Sequence, residues 1–398
     1  MYFCIPTGRY VTNVRLLARY FQLFPLPYPC YFMNNSVLIC GASIAGLTTA
    51  FWLQQYGYAV TVVERAAGPR MGGSPVDIRG TALDIVQQMG LFEQLLLGKT
   101  DIEHIEFKDA LDATLGRISL QQVGAQRPNQ DLELVRDHLV QVLYAAIQHQ
   151  LEFLFENSVL SLEETETGVQ VRLQDQSVRS FALVIGADGV HSTIRKLVFG
   201  AEHNYKHFLG EYFAIFPLDP ALGKACTGEL YNTPGKMSAI YSYHNQAEAI
   251  LAFLSPPLVY DYRDQAQQKQ IMQEAFANSA WKIPAILAAL ASTETFYFDE
   301  LCQIKMPCWT SGRVALVGDA GYCASGATGM GTTLAIVGAA TLAQALAAAQ
   351  GDYTRAFPQY EQHLRPIVEQ AQASVQRGLD FLIPKTEAAI HLRNQQGY

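Results

Sequence analysis

The chain has 398 residues, of which 49% are hydrophobic and 16% charged, enough apolar material for a large core and too much for a wholly disordered chain. Its 28 basic and 36 acidic side chains leave a formal charge of −8, which gives no electrostatic footprint for nucleic acid or an anionic membrane. The seven cysteines are odd in number and form no Cys-x-x-Cys pair, a pattern that argues against a disulfide scaffold or a zinc ribbon, fits a reducing cytoplasm and suggests no metal site.

Met1 to Phe32 carries Arg9, Arg15 and Arg19 with no acid, and ends in Pro25-Leu-Pro-Tyr-Pro-Cys30. Three prolines exclude a regular helix there, and no unbroken apolar stretch follows the positive residues as a signal peptide requires. Residues 1–32 read as an extension or a start assigned too early, with a transit-like amphipathic segment from Val11 to Phe24 as the alternative. Val37-Leu-Ile-Cys40 then predicts a buried parallel strand. It runs into Gly41-Ala42-Ser43-Ile44-Ala45-Gly46, followed by a helix over Leu47 to Tyr56 and a second strand, Ala59 to Val63, ending in Glu64. Gly41 permits the tight turn, a small residue at 43 lets backbone approach a pyrophosphate, and Gly46 lets helix and strand pack closely. The helix's first N–H groups then face the phosphates. Glu64 stands at the spacing of an acid that accepts from a ribose 2′-OH and repels a 2′-phosphate, which favours FAD or NAD over NADP at this site. Ser43 departs from the Gly-x-Gly-x-x-Gly pattern.

Leu183-Val-Ile-Gly-Ala-Asp188-Gly189 predicts another strand ending in an acid, with Ser192 or Thr193 as a helix cap. From Gly210 to Asp299 the pattern changes. Glu211 to Phe216, Gly228 to Tyr231, Met237 to Tyr243, Glu248 to Leu254 and Thr295 to Phe298 read as strands, and Gln265 to Asn278 and Ile283 to Leu290 as helices. Arg313-Val-Ala-Leu-Val-Gly318-Asp319 is a third strand ending in an acid. It enters a glycine-rich loop through Gly329-Met330-Gly331 and a helix from about Thr333 to Ala349, an anion or carbonyl cradle. Leu334 to Ala349 is shorter than the roughly 18 to 20 apolar residues of a membrane span and reads as a buried helix. Tyr353 to Phe381 reads as helical. Asp188 and Asp319 also suit strand-end caps, Arg79 and Arg136 surface salt bridges, Arg195 and Lys196 solvated or capping positions, and His191 a turn.

Taken together, Gly41 to Gly46 with Glu64-Arg65, Gly186-Ala-Asp188-Gly189, and Gly318-Asp319 with Gly329-Met-Gly331 resemble the class A flavin-dependent monooxygenases, the group of para-hydroxybenzoate hydroxylase and the tetracycline-inactivating enzymes. The resemblance runs from about residue 36 to residue 380. Gly72-Gly-Ser-Pro-Val-Asp77-Ile-Arg79-Gly80 is similar to a segment of the tetracycline-inactivating branch, and Leu134-Val-Arg136-Asp-His-Leu139 to the family's short helix start. The resemblance implies an α/β fold, a Rossmann-like FAD-binding domain with an interleaved sheet-plus-helix substrate domain and a C-terminal helix. The boundaries expected are 33–204 and 305–350 for the FAD-binding domain, 205–304 for the substrate domain and 351–398 for the C-terminal helical segment.

The resemblance also implies the roles. Glu64 holds the adenosine ribose with Arg65 beside the adenine. Asp77, Arg79 and Arg136 contact the flavin or its phosphates, and Asp188 sits near both the pyrophosphate and the nicotinamide approach. Asp319 binds the ribityl hydroxyls, Gly329 to Gly331 face the pyrimidine edge of the flavin, and Arg70 meets the nicotinamide. NADPH or NADH reduces FAD, and one oxygen atom of O2 goes to an aromatic or polyketide-like small molecule, tetracyclines among them, in a monomer or homodimer. The family's proline before the last glycines is replaced by Ser325-Gly326, which predicts a looser loop. The rival readings are a flavin oxidoreductase that does not oxygenate its substrate and a non-catalytic nucleotide-binding protein. A third is a flavin halogenase, for which Trp281-Lys-Ile283-Pro284 matches half a motif while Ser279 breaks the other half.

Overall fold

The computed structural model describes residues 35–120 and 131–396, so the expectation for residues 1–32 lies outside it. The strand Ser36–Cys40 lies inside a six-stranded sheet, whose order is Thr310–Ser311, Val314–Leu316, Leu183–Gly186, Ser36–Cys40, Ala59–Val63, Glu152–Leu154. All neighbours are parallel except the first pair. The register sets Cys40 beside both Val63 and Gly186, and Gly186 beside Leu316. The three acid-ending strands expected from the sequence therefore finish at one edge, where ligands of open parallel sheets sit.

The helix Ile44–Gln55 packs against this sheet and against the helix Gly331–Ala348, which in turn packs on Tyr353–Ala373. Gly331–Ala348 is long and apolar enough to cross a membrane, but 78% of that stretch is buried inside the protein. It is apolar all round because neighbours cover most of its sides.

A second, seven-stranded sheet has the order Tyr297–Ile304, Lys206–Leu218, Gln246–Leu254, Lys236–Tyr243, Thr227–Thr233, His104–Lys108, Thr114–Ser119. Alternation divides its side chains. Phe216, Ile240 and Leu251 pack on the helices Gln265–Phe276 and Ile283–Ser292. Leu230, Tyr241, Ile250 and Leu301 face the other way, with Ala327 and the helix Val375–Leu382. Two strands of this sheet come from residues 104–119. No apolar run announces them, since Glu106 and Lys108 are charged but buried, and neutralise each other at 2.8 Å. The strand at Thr295 to Phe298 continues to Ile304 because the polar Asp299 and Glu300 find His191 and Lys206 as partners. Between the two sheets runs a ribbon of Val76–Arg79 paired antiparallel with Asp131–Leu134. Arg79 N–H donates to Thr333 Oγ1 (3.1 Å), docking the ribbon at the start of the long buried helix.

Candidate active site

At the first turn, both outer glycines are forced. Gly41 has φ +111°, and a Cβ there would lie 2.5 Å from the Ala187 carbonyl oxygen; a Cβ at Gly46 would lie 1.8 Å from the Gly41 carbonyl oxygen. The turn thus rests directly on the residue before Asp188. Glu64 is buried, and its two carboxylate oxygens accept from the N–H groups of Ala42 (2.9 Å) and Ala66 (3.0 Å). Ile44 opens the helix, and the side chain of Ser43 does not cap it. The Ser43 hydroxyl accepts instead from the Arg136 guanidinium at 2.8 Å. Arg136 also donates to the carbonyls of Arg70 (3.0 Å) and Gly72 (2.6 Å). Burial and the neighbouring Arg70 lower its pKa to about 10, so it stays a cation at neutral pH. Arg65 is exposed at the strand's end. Arg70 is exposed too, its guanidinium 5.6 Å from the ring centre of Tyr297.

The third motif meets the first. Gly318 (φ +66°) approaches so closely that a Cβ would lie 2.9 Å from Ala45 Cβ. Asp319 is open to solvent on one side and enclosed by protein on the others. Burial raises its carboxyl pKa, while the Cys323 thiol, Arg70 and Arg136 pull the other way. Those two arginines and Asp319 therefore border one space. Beyond it, Gly329 is left-handed (φ 63°), Met330 takes the N-cap position without a side-chain cap, and a Cβ on Gly331 would meet nothing within 4 Å. An 18-residue helix thus points uncapped N–H groups into open space, a site for an anion or carbonyl.

The expected looser loop is not found. Ser325 is 3% exposed and has φ +78°, a conformation proline cannot adopt. Its Oγ accepts from Ala327 N–H, and its carbonyl accepts from Thr328 Oγ1 (2.8 Å). The loop is held by bonds of its own where a proline ring would not fit.

Ser192 caps the helix Thr193–Phe199 as expected, its Oγ accepting from Arg195 N–H (2.9 Å), and Asp188 completes that cap. One oxygen accepts from the Ser192 hydroxyl (2.5 Å), the other from the N–H groups of Thr193 (2.7 Å) and Ile194 (3.2 Å). Arg195 is not solvated as expected; it is wholly buried and donates to the carbonyls of Ala320 (2.9 Å) and Val190 (2.5 Å) and to Glu202 (3.0 Å). It ties the second motif to the residue after Asp319. His191 is more than a turn residue. Half-exposed, it bridges Glu202 (3.2 Å) and Asp299 of the second sheet (3.5 Å), and those partners raise its pKa to about 9. Asp77 and Arg79 form a buried ion pair at 2.8 Å rather than a surface one. Trp281 donates to Asp112 (2.6 Å) ahead of the helix Ile283–Ser292. Nothing in the sequence singles out Arg195, because a buried arginine at a helix start spells the same as a surface one.

The second sheet and the ribbon also hold enclosed carboxyl groups. Glu211 is 1% exposed, has an oxygen with no hydrogen-bond partner, and is raised by burial to about 8. Glu248 is also raised by burial, and Glu133 by burial and by Asp77; Tyr241 donates to Glu133 (2.7 Å). Among the described residues, no group of His, Cys, Asp and Glu could hold a metal ion. An elongated dinucleotide suits what is present: a Cβ-free turn, a half-buried arginine holding Ser43, an acid on an open wall, and uncapped helix N–H groups beyond it.

A family model described as FAD binding domain matches residues 34–374. An uncharacterized protein of Mycobacterium tuberculosis is 41% identical over 341 residues, 85% of this chain and 92% of that protein. A flavin-dependent monooxygenase of Legionella longbeachae is 36% identical over 341 residues, 85% and 87% respectively. The crystal structure of tetracycline destructase Tet(51) superposes with a TM-score of 0.82 at 33% identity, covering 92% of this chain and 95% of that one.

Proposed function

The chain belongs to the FAD binding domain family, among its flavin-dependent monooxygenases, and from that premise we propose that NADPH or NADH is the reductant and a polycyclic, polyketide-like small molecule of the tetracycline type the substrate. The observation that carries the FAD reading beneath this proposal is the meeting of three distant stretches, Gly41 against Ala187, Gly318 against Ala45, and Arg79 against Thr333. No simple dinucleotide fold needs the third.

Bound FAD supplies the two-electron and oxygen chemistry. The chain's own residues hold and orient. Glu64 is placed for the adenosine ribose, with Arg65 beside the adenine. Arg136 and Ser43 serve the pyrophosphate, Asp319 serves the ribityl arm, and the segment Gly329 to Gly331, where the uncapped long helix begins, the pyrimidine edge. Arg70, exposed over Tyr297, is placed to receive the nicotinamide cofactor. Asp77 and Arg79 act through the ribbon they stiffen, and Asp188 through the helix it caps.

Two features support the substrate class. The solved relatives of this fold at 33% identity are named tetracycline destructases. The face of the second sheet that packs beside Ala327, just before the start of the long helix, carries the rings of Tyr241 and Tyr243, which suit a flat polycyclic ligand. The test is nicotinamide oxidation with a panel of tetracyclines and simpler phenols. Stimulation by the former, with product gaining one oxygen, is expected. Stimulation by phenols alone would reject the substrate class and leave the monooxygenase standing.

A further inference from the structure

Gln303 is 1% exposed in the strand Tyr297–Ile304, and a buried amide must find partners. Its Nε2 donates to the Ala324 carbonyl (3.1 Å) and to the backbone carbonyl of Gln372 (2.8 Å). Gln372, at the end of the helix Tyr353–Ala373, returns the contact, donating to the carbonyls of Ile304 (2.8 Å) and Cys323 (3.2 Å). Ile304 N–H donates to that same Cys323 oxygen (3.0 Å). Two amides thus join the substrate sheet, the C-terminal helix and the loop at residues 323–324.

We propose that Gln303 and Gln372 are positioning residues that fix the loop 323–331 against the substrate sheet and thereby set how strongly the site prefers reduced over oxidised flavin. The proposal rests on the reading that Gly329 to Gly331 face the flavin's pyrimidine edge. The next residue, Ser325, holds a left-handed conformation that persists only where its surroundings enforce it. The two residues before it are the ones the glutamines grip. From Ser325 onward the chain is geared by short-range bonds, Thr328 Oγ1 to Ser325 O (2.8 Å) and Met330 N–H to Thr328 Oγ1 (3.3 Å), so its position passes to the start of the long helix. The positive end of that helix favours negative charge, and flavin gains electrons on reduction. A loop that recedes therefore weakens binding of the reduced form more than of the oxidised form. Neither glutamine needs to touch the cofactor.

Gln303→Leu, Gln372→Leu and the double variant keep side-chain volume while removing the amides. FAD affinity is read by flavin fluorescence, and the midpoint potential by equilibration with redox dyes. The double variant is expected to lose about tenfold in its preference for reduced flavin, about 30 mV for a two-electron couple, and each single variant about threefold. Thr61→Val, which removes a bond to Glu152 (3.0 Å) in the other sheet, controls for lost stability and is expected to leave the potential unchanged. A potential within twofold of wild type in affinity ratio, with only a lower melting temperature, overturns the proposal. So does an equal shift in Thr61→Val. Should the double variant fail to fold, the single variants decide the matter, a threefold loss in each supporting the proposal and unshifted potentials overturning it. Wild-type protein that takes up no FAD refutes the cofactor reading beneath the proposal, an outcome plainly different from an unshifted potential.

Discussion

Gly46 and Ser325 show how single positions govern the site. A methyl at Gly46 would lie 1.8 Å from a backbone oxygen, so strand or helix must move. Gly46→Ala is expected to cost on the order of 3 kcal/mol or more and to leave purified protein without bound FAD, read from its visible absorption. Yellow, stable Gly46→Ala protein would contradict the close packing described. Ser325→Pro restores the family's residue at a backbone angle proline cannot take, and is expected to lower the melting temperature by ~3 kcal/mol worth of stability, whereas Ser325→Gly is tolerated. Arg136→Met removes a largely enclosed cation from the end of the site proposed to hold the pyrophosphate. Charge-assisted hydrogen bonds contribute about 1.5–3 kcal/mol each, so FAD affinity is expected to fall roughly 10- to 100-fold. Unchanged affinity by fluorescence titration would place the phosphates elsewhere. The glycines, Ser43 and Glu64 were legible as residues because each answers one steric or electrostatic demand of the turn. Arg195 and His191 were not, since their meaning comes from Ala320 and Asp299, more than a hundred residues away.

At the scale of elements, the junction between the two sheets is electrostatic. Glu202 is held at about 2 because the His191 and Lys206 contacts outweigh its burial. His191, between Glu202 and Asp299, is raised from 6.5 to about 9 by those acids. A histidine whose folded pKa exceeds its unfolded value contributes fully below about pH 6.5 and loses that contribution as pH rises through 9. The side chain is half-exposed, so the effect is expected to stay under ~1 kcal/mol. Urea unfolding at pH 6 and pH 9.5 should show wild type losing more stability than His191→Gln. Equal losses would mean the bridge does not form. Strands of uniform apolar character, such as Val37–Cys40 and Leu183–Gly186, were readable from their composition. His104–Lys108 and the ribbon at Val76–Arg79 were not, because each buries a pair of opposite charges, Glu106 with Lys108 and Asp77 with Arg79, which in sequence reads as a solvated strand face.

The whole molecule carries opposing titrations. Glu106 and Glu202, both lowered to about 2 by lysine or histidine partners against their burial, stabilise above about pH 4.5 and lose this as pH falls. Glu211, raised to about 8 by burial, stabilises below its unfolded value and loses this as pH climbs through 8. The melting temperature is therefore expected to peak near pH 5 and decline toward pH 9, with Glu211→Gln flattening the alkaline side. A maximum above pH 8 would contradict these assignments. The overall architecture was legible from three motifs in order, since an elongated cofactor requires separated segments to converge. The clamping of its loop by Gln303 and Gln372 was not, because amides give no periodic signal. The most direct measurement is turnover of a stimulating ligand under 18O2, with NADPH or NADH, followed by mass spectrometry. One atom of heavy oxygen in the product per nicotinamide consumed is the expected result. Nicotinamide consumed with hydrogen peroxide released and no label in any product would contradict the monooxygenase account.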